Sequence, residues 1–270
     1  MASGISYSCV SDWYESTFRN LKMNLIFPKH REGHAKQPAI LWLCGGSFCV
    51  VNEDVWLPEM MDFAREGYTI ASIEYRTSNK ANFPAALVDA KSAVRFLKAH
   101  AEQFCIDPDH IFVMGESAGG TLASLVGVTE NVEEFEQGDN LSISSSVAGV
   151  IDFYGLTDLS IISLDRYGAL PYWILEAFLG VNYSQDIAKK ASAVNYINHD
   201  VPPFLILHGD EDPVVPLQQS EILYEELQKN NVDASFYIVK GAGHGEDQFY
   251  QPEVKNLINQ FIKKVVNKKV

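Results

Sequence analysis

The chain has 270 residues, 47% hydrophobic and 21% charged, a balance that suits a soluble globular protein with a sizeable core. Its 21 Lys and Arg stand against 35 Asp and Glu, and the formal charge of −14 repels nucleic-acid phosphates and anionic membranes, so neither is expected as a partner. No apolar run reaches the roughly 18 residues of a membrane helix, and Met1 to Ser11 lacks the basic and apolar regions of a secretory signal, so a cytoplasmic protein is expected.

Taken along the chain, apolar runs rich in β-branched residues alternate with helix-length amphipathic stretches. That alternation predicts an α/β fold, a mostly parallel central sheet with helices on both faces. Strands are expected over 18–27, 39–43, 69–75, 111–114, 148–154, 204–208 and 235–239, and helices over 55–66, 84–104, 118–126, 218–230 and 252–267. In the second of these helices Ala86, Ala90, Ala93, Val94, Leu97 and Ala101 recur at the spacing that lays a helix on a sheet. The stretch 156–201 breaks the rhythm and is expected as a cap-like insertion within a single domain spanning 1–270. Its apolar residues Trp173 and Phe178 are candidates for lining a pocket or for core packing. The four cysteines show no metal-ligand spacing, and Cys44 and Cys105 are expected as buried thiols.

Three segments carry chemistry. Gly115-Glu116-Ser117-Ala118-Gly119-Gly120 follows the strand over 111–114 and precedes a helix of small residues. A strand–turn–helix around G-x-S-x-G lifts the serine hydroxyl above the carboxyl edge of the sheet, at the positive end of the helix. A serine alcohol needs a base, and in this context the acid and then a histidine follow on later strand loops. The strand over 204–208 runs into Asp210-Glu211-Asp212-Pro213, and the strand over 235–239 into Gly241-Ala242-Gly243-His244-Gly245. His244, between glycines, is the expected base. His30, His34, His100, His110 and His199 read as surface residues, and His208 as a strand-end residue bonding backbone. Asp210, Glu211 and Asp212 all compete for the acid, with Glu246 beside the base. Asp212 is favoured because Pro213 holds its backbone extended. The early strand over 39–43 leads into Cys44-Gly45-Gly46-Ser47, where an N–H of Gly46 or Ser47 is expected to join that of Ala118 in an oxyanion hole. No motif calls for a cofactor or a metal, and oligomeric state is left open.

Segments spread from about residue 40 to 245 resemble the carbohydrate-esterase and feruloyl-esterase-like branch of α/β-hydrolases, near the hormone-sensitive-lipase group. They are Cys44-Gly45-Gly46-Ser47-Phe48, Glu74-Tyr75-Arg76, Phe83-Pro84-Ala85-Ala86, Ile106-Asp107-Pro108, the Ser117 hexapeptide, Phe153-Tyr154-Gly155 with Thr157-Asp158-Leu159, and the loops that carry Asp212 and His244. The resemblance implies a Ser117, Asp212 and His244 triad, oxyanion donors at Gly46 and Ser47, and small-molecule esters as substrates, with short acyl groups on sugars or small aryl alcohols. Family members usually carry His-Gly-Gly-Gly where this chain has Cys44-Gly45-Gly46-Ser47, and the Cβ of Ser47 is expected to narrow or re-aim the loop. A prolyl-oligopeptidase-like peptidase would share the triad, but this chain leaves no room for that group's large accessory domain. A non-catalytic binding module on the same fold has no need of all three residues.

Overall fold

Runs of Val, Ile, Leu and Phe long enough to be buried on both faces become the central strands of the computed structural model, which describes residues 1–12, 17–28, 36–162 and 172–268. The strands are β1 (Ala2–Ser11), β2 (Phe18–Ile26), β3 (Gln37–Leu43), β4 (Thr69–Ile73), β5 (Ile106–Glu116), β6 (Gly149–Phe153), β7 (Phe204–Gly209) and β8 (Ala234–Val239). They form one sheet in the order β1-β2-β4-β3-β5-β6-β7-β8. Only the β1–β2 and β2–β4 pairs are antiparallel; every pairing from β4 to β8 is parallel.

The helices are α1 (Leu57–Arg65), α2 (Ala85–Ala99), α3 (Ala101–Phe104), α4 (Ala118–Val128), α5 (Tyr172–Leu179), α6 (Gln185–Lys190), α7 (Gln218–Lys229) and α8 (Pro252–Asn267). Alternate residues of each central strand feed two cores. In β3, Ala39, Leu41 and Leu43 join α2, α4 and α7 on one face, while Ile40 and Trp42 join α1 and α8 on the other. Every residue of α4 is buried, which explains its run of Gly, Ala, Ser and Thr: a helix sealed against β3, β5 and β6 has no solvent face to make polar.

The expected strands and helices all form, with shifted ends. The helix expected over 84–104 breaks at His100 into α2 and α3, and the strand expected over 111–114 begins already at Ile106. One strand was not expected. β1 pairs along β2 from Ala2↔Leu25 to Ser11↔Phe18, but its serines and Gly4 blur the apolar alternation that would reveal it. Tyr7 anchors it, buried and donating to the Glu74 carbonyl at 2.6 Å. Cys44 is buried as expected, whereas Cys105 is only half-buried, at a left-handed turn with φ 55°. His30 and His34 lie outside the described residues, as do 163–171 of the 156–201 stretch, whose remainder carries α5 and α6. No helix among the described residues is long and apolar enough to cross a membrane.

Candidate active site

Parallel strands deliver their carboxyl ends to one edge of the sheet, so the segments after β3, β5, β7 and β8 converge there. At the end of β5 the chain turns into α4 through Ser117, whose φ of 52° and ψ of −118° lie in a region that costs a non-glycine residue about 1–3 kcal/mol. The turn is sealed by backbone. Ser117 N–H donates to the Phe153 carbonyl at 2.9 Å, and a Cβ on Gly119 would overlap the Leu43 carbonyl oxygen. Glycine at 119 is therefore required by close approach rather than by its own dihedrals, and α4 can press against β3 only because of it.

Asp212 and His244 reach this serine from the loops after β7 and β8. His244 Nε2 lies 2.9 Å from Ser117 Oγ, and its Nδ1 lies 2.7 Å from Asp212 Oδ2. An ionised carboxylate only accepts, so Nδ1 carries the proton and the Nε2 lone pair faces the serine hydroxyl. The second oxygen of Asp212 accepts from the N–H groups of Val214 at 2.7 Å and Val215 at 2.9 Å. Burial pushes the Asp212 carboxyl up, but hydrogen bonds from His208 and His244 and the N–H of Val214 outweigh it and hold the group well below the usual carboxylate range. The competing acids point elsewhere. Asp210 takes Lys240 and the Gly241 N–H on the surface, and Glu246 accepts from Gly243 N–H at 2.8 Å, bracing the loop that carries His244.

His208 bonds backbone as expected, its Nε2 donating to the Val215 carbonyl at 2.9 Å, but that is only part of its surroundings. The ring is fully buried, Ser220 Oγ lies 2.7 Å from its Nδ1, and its Nε2 is 3.4 Å from the Asp212 oxygen that holds His244. Two imidazoles thus share one carboxylate; His244 reaches the hydroxyl and His208 braces the acid from behind.

The loop after β3 lies across the mouth of the site. Gly46 has φ 135°, and two non-glycine residues, Ser47 at 54° and Phe48 at 60°, follow at positive φ. Gly45 N–H is committed to Glu116 Oε1 at 3.2 Å, whereas the N–H of Ser47 has no internal acceptor among the described residues. Ala118, first residue of α4, has none within the helix either. Ser47, Phe48, Ser117 and Ala118 border a small recess whose other wall is Leu156, Ile174, Val214 and Val215. Its cavity volume is about 20 Å³, far below the roughly 300 Å³ at which ligand pockets commonly start, so only a very small group fits it. Of the two aromatics singled out in the 156–201 stretch, neither lines it: Phe178 is buried and stacked on Phe48 at 3.8 Å, and Trp173 is 56% exposed. Their neighbour Ile174 does, which residue type alone could not single out.

Glu116 went unremarked in the sequence because it fills the variable position of the motif. It is 8% exposed and gathers the Trp56 indole, Gly45 N–H and the Tyr154 phenol. No group of three or more His, Cys, Asp or Glu among the described residues could hold a metal.

The BD-FAE family model matches residues 23–227. Esterase LipQ of Mycobacterium tuberculosis is 30% identical over 197 residues, covering 72% of this chain and 46% of LipQ. Esterase LipC of the same organism is 28% identical over 78% of this chain and 53% of its own length. The chain thus spans about half the length of the curated relatives it matches. A solved structure described as a truncated carbohydrate esterase from gut microbiota is 28% identical, with TM-score 0.85 over 99% of this chain and 96% of that one.

Proposed function

The chain belongs to the BD-FAE family, on the α/β-hydrolase fold, and from that premise we propose that it is a serine carboxylic ester hydrolase. The observation that carries the reading is the unbroken relay from Asp212 through His244 to Ser117, at 2.7 and 2.9 Å, beside a recess that Ser47 and Ala118 border. In this reading Ser117 Oγ attacks the ester carbonyl as its proton passes to His244 Nε2. The N–H of Ala118 with that of Ser47 or Gly46 receives the oxyanion. Asp212 holds the imidazole in its productive tautomer and balances the imidazolium. The alcohol leaves with the proton from His244, and water repeats the two steps on the acyl-enzyme.

The recess favours short acyl groups, because Leu156 and Ile174 help to close a space of only about 20 Å³. The carbohydrate-esterase neighbour supports esters of sugars as the substrate class, and with the small recess this reading favours acetylated ones, with small aryl esters as practical probes. The stretch over 156–201 serves in this reading as a cap, since it supplies both Leu156 and Ile174 to the recess.

The test is hydrolysis of p-nitrophenyl acetate against a prolyl amide, with Ser117→Ala as control. Ester turnover that disappears in Ser117→Ala is the expected result; a parent that turns over neither substrate refutes the enzyme reading. A histidine base works only as the neutral imidazole, so kcat/KM should decline in acid, and a rate still flat at about pH 4 contradicts a histidine base.

A further inference from the structure

A carboxylate can only accept hydrogen bonds, so a buried one must find donors at both oxygens. Glu116, directly before the nucleophile, does so with neutral groups. Oε1 receives Trp56 Nε1–H at 2.6 Å and Gly45 N–H at 3.2 Å, while Oε2 receives Tyr154 O–H at 2.8 Å, with Tyr250 O–H at 3.5 Å. No Lys, Arg or His pairs with it among the described residues. Burial, with the Glu116 charge added, pushes both phenols above their ordinary range, so they stay protonated and remain donors. A fold in need only of filling would bury an apolar side chain here more cheaply.

What those donors belong to points to a task. Gly45 opens the loop that bears Gly46 and Ser47, and a Cβ added to Gly45 would lie 3.2 Å from the Ser117 Cβ. Tyr154 packs edge-on to the His244 ring, centroids 4.7 Å apart, and itself sits at φ 43°. Trp56 stacks on Tyr250 at 4.3 Å. One carboxylate therefore touches the oxyanion loop and, through one phenol, the ring of the base. We propose that Glu116 is a positioning residue for ester hydrolysis, fixing the Gly45–Ser47 loop with Oε1 and the Tyr154–His244 pair with Oε2. The role rests on the serine esterase reading and adds to it a link that the triad does not contain.

Glu116→Gln is the discriminating variant. It keeps the shape, but its NH2 must confront a donor on one side or the other, so one of the two arms loses its acceptor. Loss of an oxyanion donor costs about 10²–10³ in kcat, so misaiming one should cost about 10- to 100-fold, with KM within about threefold. Labelling of Ser117 by diethyl p-nitrophenyl phosphate, whose phosphoryl oxygen uses the same hole, should slow in parallel, and Glu116→Asp should recover part of the rate. A Glu116→Gln enzyme that is folded by circular dichroism and within about twofold of the parent in kcat overturns the proposal. If Glu116→Gln does not fold, Trp56→Phe decides: an unchanged kcat overturns the proposal, and a several-fold fall at constant KM supports it. A parent that hydrolyses no ester while Ser117 is still labelled refutes the ester reading alone. The ratio of labelling rates between parent and Glu116→Gln then still decides the role of Glu116.

Discussion

The turn after β5 and the loop after β3 meet at the same sheet edge, and both hold non-glycine residues at positive φ, yet they are secured by different means. Ser117, at 52°, is clamped backbone to backbone, by the Phe153 carbonyl and by the close approach of Gly119 to Leu43. Ser47 and Phe48, at 54° and 60°, are held by backbone too, with Cys49 and Val50 N–H donating to the Gly46 carbonyl at 3.0 Å and Ser78 N–H to that of Phe48 at 2.8 Å, but side chains add to these bonds. Glu116 takes the Gly45 N–H, the buried Tyr75 hydroxyl donates to the Cys44 carbonyl at 2.7 Å, and Phe48 stacks on Phe178. That stack is worth about 0.5–1.5 kcal/mol beyond its burial. Strain sealed by backbone alone permits almost no variation, whereas strain sealed partly by side chains can be retuned from several places. Activity should be brittle on the first side and adjustable on the second.

The largest effects should fall on the turn and its partners. Ser117→Ala and His244→Ala are each expected to lower kcat by about 10⁴- to 10⁶-fold, and Asp212→Asn by about 10⁴-fold. A variant of any of the three within about a hundredfold of the parent would remove that residue from the relay. Gly119→Ala should come next. Its methyl would collide with main chain rather than with a side chain able to swing aside, so a loss of about 4 kcal/mol or more is expected in urea unfolding. A mild loss there would mean that the turn is as adjustable as the loop.

The acid offers a smaller test with a definite sign. The folded protein holds the Asp212 carboxyl below its unfolded value, although burial opposes this, because His208, His244 and Val214 N–H favour the anion. The stability gained is present in full above about pH 4, the unfolded value, and drains away as pH falls through the lower folded one. Parent and Asp212→Asn should therefore differ in unfolding free energy at pH 7 and approach one another below about pH 4. A gap that widens in acid would contradict the depressed carboxyl.

What the sequence made legible follows the same division. Alternation of buried strands and amphipathic helices revealed the parallel sheet, and glycines around Ser117 and His244 marked turns where backbone meets backbone. Asp212 was separable from Asp210 and Glu211 only through Pro213 and the family resemblance; in the structure Asp212 is fixed also by the N–H groups of Val214 and Val215 and by His208. Glu116 and Tyr154 lie in segments that carry the resemblance, yet nothing local joins them to each other or to Trp56, since a carboxylate at a variable motif position finds its donors 38 to 134 residues away. β1 was hidden for a local reason, being a half-exposed strand whose serines obscure its alternation.

Ser47 is where the adjustable side can be probed most gently. Glycine there would relieve a left-handed penalty of about 1–2 kcal/mol, yet it would loosen the unfolded chain by a comparable amount. Stability should thus change by less than about 1 kcal/mol in either direction. The rate carries the information. Ser47 borders the recess beside Ser117, so removing its side chain should widen the entrance and raise turnover of butyrate relative to acetate esters, by up to about tenfold, or 1.4 kcal/mol. If Ser47→Gly leaves both rate and acyl preference unchanged, the Ser47 side chain does not narrow the hole. Control of the loop would then lie with what holds it from below, Glu116 and the Phe48–Phe178 stack, and acyl preference should respond to Ile174→Ala instead.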